Sequence, residues 1–409
     1  MDAIRRHRHI LQAALLSIVL IVGLDLLTNS LDTQKFSWDF RYYVSMAATG
    51  FQAPLASPFA YRYVTPALVY AVMHGLGLEL ETGFRIVAYV GAFLQLVGVF
   101  AFTSWMTRST RGAFVALAAT ALSLFNVKFL LFDVYRPDHL AYALILLQTY
   151  LAFKRKFTPL LICTLIASQV REFNVIPLIA YLFATWRGLR ASTDGGRPPR
   201  VFIIQATVSS IGLAAALVLP RMLIPVTEDF QFATITPDGI LRVLIAPLVL
   251  ARDVNFVYAL VAYLLPVLLL ASFEDIRSIW VSLEGWARSF LAAYVGLVIL
   301  FSFLGGSDFQ RFTSYLFLPQ SIALGLVVSR RQFWQIGIML LAVFIFNRIW
   351  LPFPMSDIGA YLDFYGGWAQ RLDSASVLRL LECLGFVALG ILIRRVQRFS
   401  GSPASQPPL

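Results

Sequence analysis

The chain has 409 residues, of which 59% are hydrophobic and 13% charged, with a formal net charge of +11. Soluble proteins carry about 25% charged residues, so the composition excludes an ordinary soluble globule. The two cysteines, Cys163 and Cys383, and the four scattered histidines exclude a disulfide framework and a histidine metal cluster.

Apolar stretches recur along the whole chain. Each is about 15–25 residues long, enough to cross ~30 Å of hydrocarbon. The runs are continuous and do not alternate, which predicts helices rather than a β-barrel. The basic residues fall in short runs between them, a topology signal and not a nucleic-acid footprint.

In chain order, Arg5, Arg6 and Arg8 precede an apolar run from Ile10 to Leu27. No small-residue cleavage site follows it, so it reads as a retained first span with a cytoplasmic N-terminus. The first outer loop covers about residues 28–83. In it, Asp39 starts an amphipathic helix with Tyr42, Tyr43 and Met46 near one face. The competing account makes Asp39 a helix N-cap and the aromatics interfacial anchors. Further on, Arg62 stands among aromatics in Pro58-Phe-Ala-Tyr-Arg-Tyr-Val-Thr-Pro66. The segment Val64 to Leu78 is short and begins in Pro-rich sequence (Pro54, Pro58, Pro66), which predicts an outer-face or half-inserted helix, with a full span as the alternative.

Spans are predicted at Phe84–Met106, Gly112–Phe132 and His139–Phe153. The last two enclose a second outer loop holding Asp133, Arg136, Asp138 and His139. Its bland alternative is a solvated turn with Asp138 capping the next helix. Phe157 to Trp186 has basic clusters on both sides. Two full spans need about 40 residues plus a turn, and only about 30 are available. The stretch therefore predicts two short, broken helices with Arg171-Glu172 at the turn. Ionisable residues at such depth line a cavity or pair with each other.

Further spans are predicted at Val201–Ile224, Val254–Ala271, Phe290–Leu304, Phe312–Ser329, Phe333–Leu351 and Val377–Ile393. Before the fourth of these come Gly305, Gly306, Ser307, Asp308 and Arg311. Glycines allow close backbone approach, and a guanidinium at a span end can grip a phosphate. The alternative is Arg311 paired with Asp308 or snorkelling to headgroups.

The fold class that follows is all-α: a polytopic α-helical membrane protein with about 10–13 membrane helices and outer-face juxtamembrane helices. Residues 1–398 form a single transmembrane domain and 399–409 a disordered cytoplasmic tail. The basic runs, from the N-terminus through Arg108 with Arg111, Lys154 to Lys156, Arg187 to Arg200, Arg277 to Arg288, Arg330-Arg331 and Arg394 to Arg398, then all lie inside. Asp25, Asp32, Asp39, Asp133, Asp138, Glu172, Asp238, Asp308, Asp357 and Asp363 lie on the outer side or at its boundary. Acids barely influence insertion, so the bias points to an outward-facing polar site.

Together, the aspartate just after the first span, the Tyr-Arg-x-x-x-Pro string, the second acidic loop and the late Arg311 resemble the GT-C superfamily of polytopic membrane glycosyltransferases. The likeness is to its uncharacterised bacterial branch. There is no Asp-Asp or Asp-Glu pair in the first loop and no large C-terminal soluble domain, unlike its best-known branches.

The resemblance implies a polyprenyl-phosphate sugar lipid as donor and a lipid or glycan as acceptor. It implies multi-pass insertion in a bacterial inner membrane, with the active site facing the periplasm or exterior. It makes Asp39 the catalytic base and Arg311 and Arg62 the donor-phosphate contacts. Sugar or acceptor contacts fall to Asp133, Asp138, Arg136, Arg171, Glu172, Asp308, Tyr42 and Tyr43. No residue is assigned as a metal ligand, and transfer is either metal-independent or assisted by a divalent metal ion. A polytopic transporter or lipid flippase using the same buried charges is the alternative, and a structural membrane subunit a third.

Overall fold

The computed structural model describes residues 2–35, 39–50, 55–192, 200–224, 226, 228–229, 250–304, 309–355, 360 and 374–399. These are almost entirely helical. Among the described residues, seven helices are long and apolar enough to cross a membrane: His7–Leu26, Leu80–Thr107, Arg200–Leu223, Arg252–Leu270, Gly285–Leu304, Phe309–Arg330 and Ser374–Val396. The chain is thus an all-α, multi-pass helical protein, as its continuous apolar runs predict.

Helix α1 (Asp2–Leu26) leads to the short α2 (Phe40–Thr49), which stops at Gly50 in the left-handed conformation that glycine adopts freely. Helix α3 (Val64–Leu76) has 13 residues. At 1.5 Å per residue it covers about 20 Å, too little to cross the bilayer core. The long α4 (Leu80–Thr107) packs on α1 and α3 and forms the spine of the fold.

The predicted span at Gly112–Phe132 is two pieces, α5 (Thr110–Ala121) and α6 (Lys128–Phe132). Lys128 opens the second piece. Its buried ammonium donates to the carbonyls of Arg348, Ile349 and Leu351. An ammonium enclosed in apolar surroundings needs such partners. The same carbonyls belong to the last residues of the predicted Phe333–Leu351 span, past the end of the helix the structure shows there. That helix stops at Phe346, and Arg348 has a φ of 51°.

Helix α7 (Asp138–Phe153) is followed by a hairpin of α8 (Phe157–Ala167), a 3-10 turn at Glu172–Val175, and α9 (Ile176–Ser192). The chain breaks at Arg171, whose backbone is extended. The Gln148 amide on α7 donates to the Thr164 hydroxyl of α8 and the Asn174 carbonyl of the 3-10 turn, each at 2.8 Å, and so ties one arm of the hairpin and its turn to α7.

The remaining helices are α10 (Arg200–Leu223), α11 (Leu250–Leu270), the surface helix α12 (Phe273–Ser282), α13 (Gly285–Leu304), α14 (Phe309–Thr313), α15 (Phe317–Val327), α16 (Phe333–Phe346) and α17 (Ser374–Phe399). A two-residue parallel pairing joins Ala56–Ser57 to Glu228–Asp229.

Basic turns gather at one end of the bundle. Arg111 donates to the Arg331 carbonyl at 2.8 Å, and Arg331 donates to the Leu270 carbonyl at 2.8 Å. Arg155 bonds Glu284 at 3.1 Å and stacks over Trp286.

Helices α5 and α15 meet through glycine. A Cβ on Gly112 would lie 2.4 Å from the Gly325 carbonyl oxygen, a backbone atom that cannot swing away. Small residues let membrane helices approach this closely. Gly112→Ala is expected to lower stability by about 1–3 kcal/mol through overpacking. Gly337→Ala, which meets nothing within 4 Å, serves as the control. Thermal unfolding in detergent checks the pair, and equal melting of the two variants would contradict the close contact.

Candidate functional site

The polar cluster lies at the end of the bundle away from the basic turns, and five chain segments build it. Asp39 immediately precedes α2. Its backbone is already helical and its side chain makes no capping hydrogen bond, so capping does not account for it. Both its carboxylate oxygens accept from Arg136 instead, Oδ2 from Nη1 at 3.0 Å and Oδ1 from Nη2 at 3.4 Å. The third donor of Arg136, Nε, reaches Asp133 Oδ2 at 2.6 Å. One guanidinium therefore clamps two carboxylates. The turn between α6 and α7 allows this by placing Asp133 and Arg136 three residues apart.

Asp138 is the first residue of α7. Its Oδ2 accepts from Arg171 Nη1 at 3.0 Å, and its Oδ1 lies 4.0 Å from Arg311 Nε. Arg171 and Glu172 do not pair with each other. Glu172 turns to Arg62, whose Nε is 3.1 Å from each of its oxygens. Arg62 Nη1 also donates to the Tyr43 hydroxyl at 3.1 Å. Four arginines and four carboxylates thus converge through five pairings.

Aromatic rings fill the gaps between the charges. Phe173 stacks on Phe312 at 4.9 Å, with Arg171 and Arg311 over the Phe312 ring. Tyr42 stacks on Phe59 at 5.0 Å, and Arg62 lies over that ring.

Access divides the carboxylates. The Asp133 and Asp138 side chains are 0% exposed, whereas that of Asp39 is 24% and that of Glu172 33% exposed. Asp133 and Asp138 hold arginines in place, and Asp39 and Glu172 are the two that reach the surface of the protein. Burial pushes the Asp39 carboxyl up, but Arg136, then Arg311 and Arg62, outweigh it and hold the pKa at about 2. Asp39 is therefore ionised at neutral pH.

Among the residues singled out in the sequence, the structure brings together Asp39, Tyr43, Arg62, Asp133, Arg136, Asp138, Arg171, Glu172 and Arg311, with Tyr42 beside them. Asp308, Asp238, Asp357 and Asp363 lie outside the described residues. Asp32 is spent on its own turn, accepting from the backbones of Gln34 and Lys35.

Two further buried groups lie beside the cluster: His139, which the sequence placed in the second outer loop, and Gln95, which sequence reasoning missed. His139 is fully enclosed against Gly91 of α4, and neither ring nitrogen has a hydrogen-bonding partner. Gln95, one turn along α4 from Gly91, is equally enclosed and unpartnered. The signal available was a glutamine inside an apolar span.

Compared with known proteins, the sequence matches no family model and no curated relative.

Proposed function

We propose that this chain is a membrane glycosyltransferase. It moves a sugar from a polyprenyl-phosphate donor to a lipid or glycan acceptor, on the face of a bacterial inner membrane turned towards the periplasm or exterior. The observation that carries this is an accessible carboxylate, Asp39, set among Arg136, Arg311 and Arg62 at the end of the bundle away from the basic turns. Basic turns stay in the cytoplasm, so the cluster faces out.

The acceptor hydroxyl gives its proton to the Asp39 carboxylate as its oxygen attacks the anomeric carbon. The bond from that carbon to the phosphate oxygen breaks, and polyprenyl phosphate leaves with one more negative charge. Arg62 and Arg311 stabilise that charge, because a guanidinium fork matches phosphate oxygens. A carboxylate with a pKa of about 2 is a weak base while Arg136 holds it. A phosphate that competes for Arg136 loosens that hold, so donor binding itself raises the basicity of Asp39. Asp133, Asp138 and Arg171 position the arginines, and Tyr42, Tyr43 and Glu172 line the approach.

The test is transfer of labelled sugar from polyprenyl phosphate by the purified protein in liposomes. It is paired with reporters fused after Gly306, expected outside, and after Arg331, expected inside. Label that stays on the donor with every lipid and glycan acceptor offered, or the opposite reporter pattern, defeats the proposal.

A transporter or lipid flippase is the second reading. It is favoured by the short α8–α9 hairpin and by the polar seam of His139 and Gln95 running from the cluster between α4 and α7. Lipid flipping or solute uptake without sugar transfer would establish it.

A further inference from the structure

Helix α10 is the least embedded of the long apolar helices. Only 6% of its apolar window is buried, against 78% for Phe309–Arg330. It touches the rest of the molecule at few points. Gln169 of the hairpin donates to the Ala216 carbonyl at 2.7 Å, and Gly212 faces Leu165 of α8. At its end near the cluster, the Arg221 guanidinium lies 4.5 Å over the ring of Tyr61. Arg221 is exposed. Tyr61 belongs to the 3-10 turn Phe59–Tyr61, and the next residue is Arg62.

An exposed cation therefore rests on the turn whose next residue is a cation of the buried cluster. Arg62 is not idle there. Its Nε is shared equally by the two oxygens of Glu172, the most exposed of the four clustered carboxylates. Carboxylate and phosphate are alternative partners for a guanidinium. An incoming phosphate gains Arg62 only by displacing Glu172, and the attraction between the two is subtracted from its apparent affinity. A helix with so little buried surface moves aside at small cost.

We propose that the donor's lipid phosphate enters sideways between α10 and the Phe59–Tyr61 turn, meets Arg221 first, and then replaces Glu172 on Arg62. The route rests on the lipid-phosphate donor proposed above. It adds Arg221 as a capture residue. It also gives Glu172 the role of an internal anion that holds the site until the phosphate arrives, in place of a sugar contact.

The experiment measures binding of polyprenyl phosphate to the purified full-length protein in phosphatidylcholine nanodiscs. Arg221→Gln is expected to weaken binding about tenfold, the loss of one charge-assisted contact. Glu172→Gln is expected to strengthen it about three- to tenfold, because a neutral amide competes poorly for Arg62. Both variants keep the fold: Arg221 is exposed, and glutamine can still accept a hydrogen bond from Arg62. Their melting is measured alongside.

Wild-type affinity in Arg221→Gln, or weaker binding in Glu172→Gln, overturns the route and leaves the glycosyltransferase proposal standing. No binding of polyprenyl phosphate by the wild-type protein overturns both. Inorganic phosphate, or phosphatidylglycerol in place of phosphatidylcholine, is expected to compete weakly. Competition by either at equal concentration overturns the commitment to a polyprenyl-type lipid phosphate.

Discussion

Asp39→Asn is expected to insert and melt like the wild-type protein and yet lose sugar transfer by about 10²-fold or more, the usual cost of removing a general base. Asparagine keeps the shape of the side chain and one oxygen to accept from Arg136, which also retains Asp133 at 2.6 Å. No helix cap is lost, because Asp39 makes none. What disappears is the charge proposed above to take the acceptor's proton. Normal transfer by a well-folded Asp39→Asn protein would move the base elsewhere. Asp133 and Asp138 are enclosed, so Glu172 is the clustered carboxylate with access to take over.

The pH profile supplies a second readout. The Asp39 pKa is depressed to about 2, below the ~3.9 of an unfolded chain. Its pairing therefore adds stability that is complete above about pH 4 and is lost as the pH falls through about 2. Over the same range the free protein keeps Asp39 ionised. kcat/KM is expected to show no acid limb from this residue down to about pH 4. An acid limb near pH 6 that vanishes in Asp39→Asn would contradict the pairing.

The largest loss of stability is expected from Arg171→Ala, about 3–5 kcal/mol, because it strands a buried carboxylate. The Arg171 side chain is 2% exposed and its partner Asp138 0%. Their 3.0 Å bond tethers the break of the α8–α9 hairpin to the start of α7. The guanidinium also covers the Phe312 ring, so its removal loosens the aromatic stack that joins the hairpin to α14. Combining Arg171→Met with Asp138→Leu removes both charges and is expected to recover much of the loss, since a buried ion pair is often worth no more than an apolar pair of similar volume. Thermal unfolding of the single and double variants measures this. Unchanged melting of Arg171→Met alone would show that Asp138 is satisfied without Arg171.

The hairpin shows how far local sequence reaches. Some 30 apolar residues between two basic clusters are too few for two spans, and the charged pair Arg171-Glu172 marks where the helix must stop. The break lies at that pair. The chain's class was legible in the same way, because continuous apolar runs leave a helix as the one structure that satisfies its own backbone in lipid. The members of the charged cluster were legible too, since an arginine or aspartate within apolar sequence is costly and stands out.

Their pairing was not legible. Asp39 meets Arg136 across 97 residues, Arg62 meets Glu172 across 110, and Arg171 turns to Asp138 instead of to its neighbour in sequence. The partners of Lys128, at the start of the second piece of the broken Gly112–Phe132 span, were not legible either, because its carbonyls lie about 220 residues away. By itself, the sequence determined which segments are helical and which residues are too polar for their surroundings, since the cost of transfer into lipid is paid residue by residue. Only the tertiary structure decided which charge answers which, and which carboxylates are enclosed. A buried charge takes the nearest opposite charge in space, and nearness in space is set by how the helices pack.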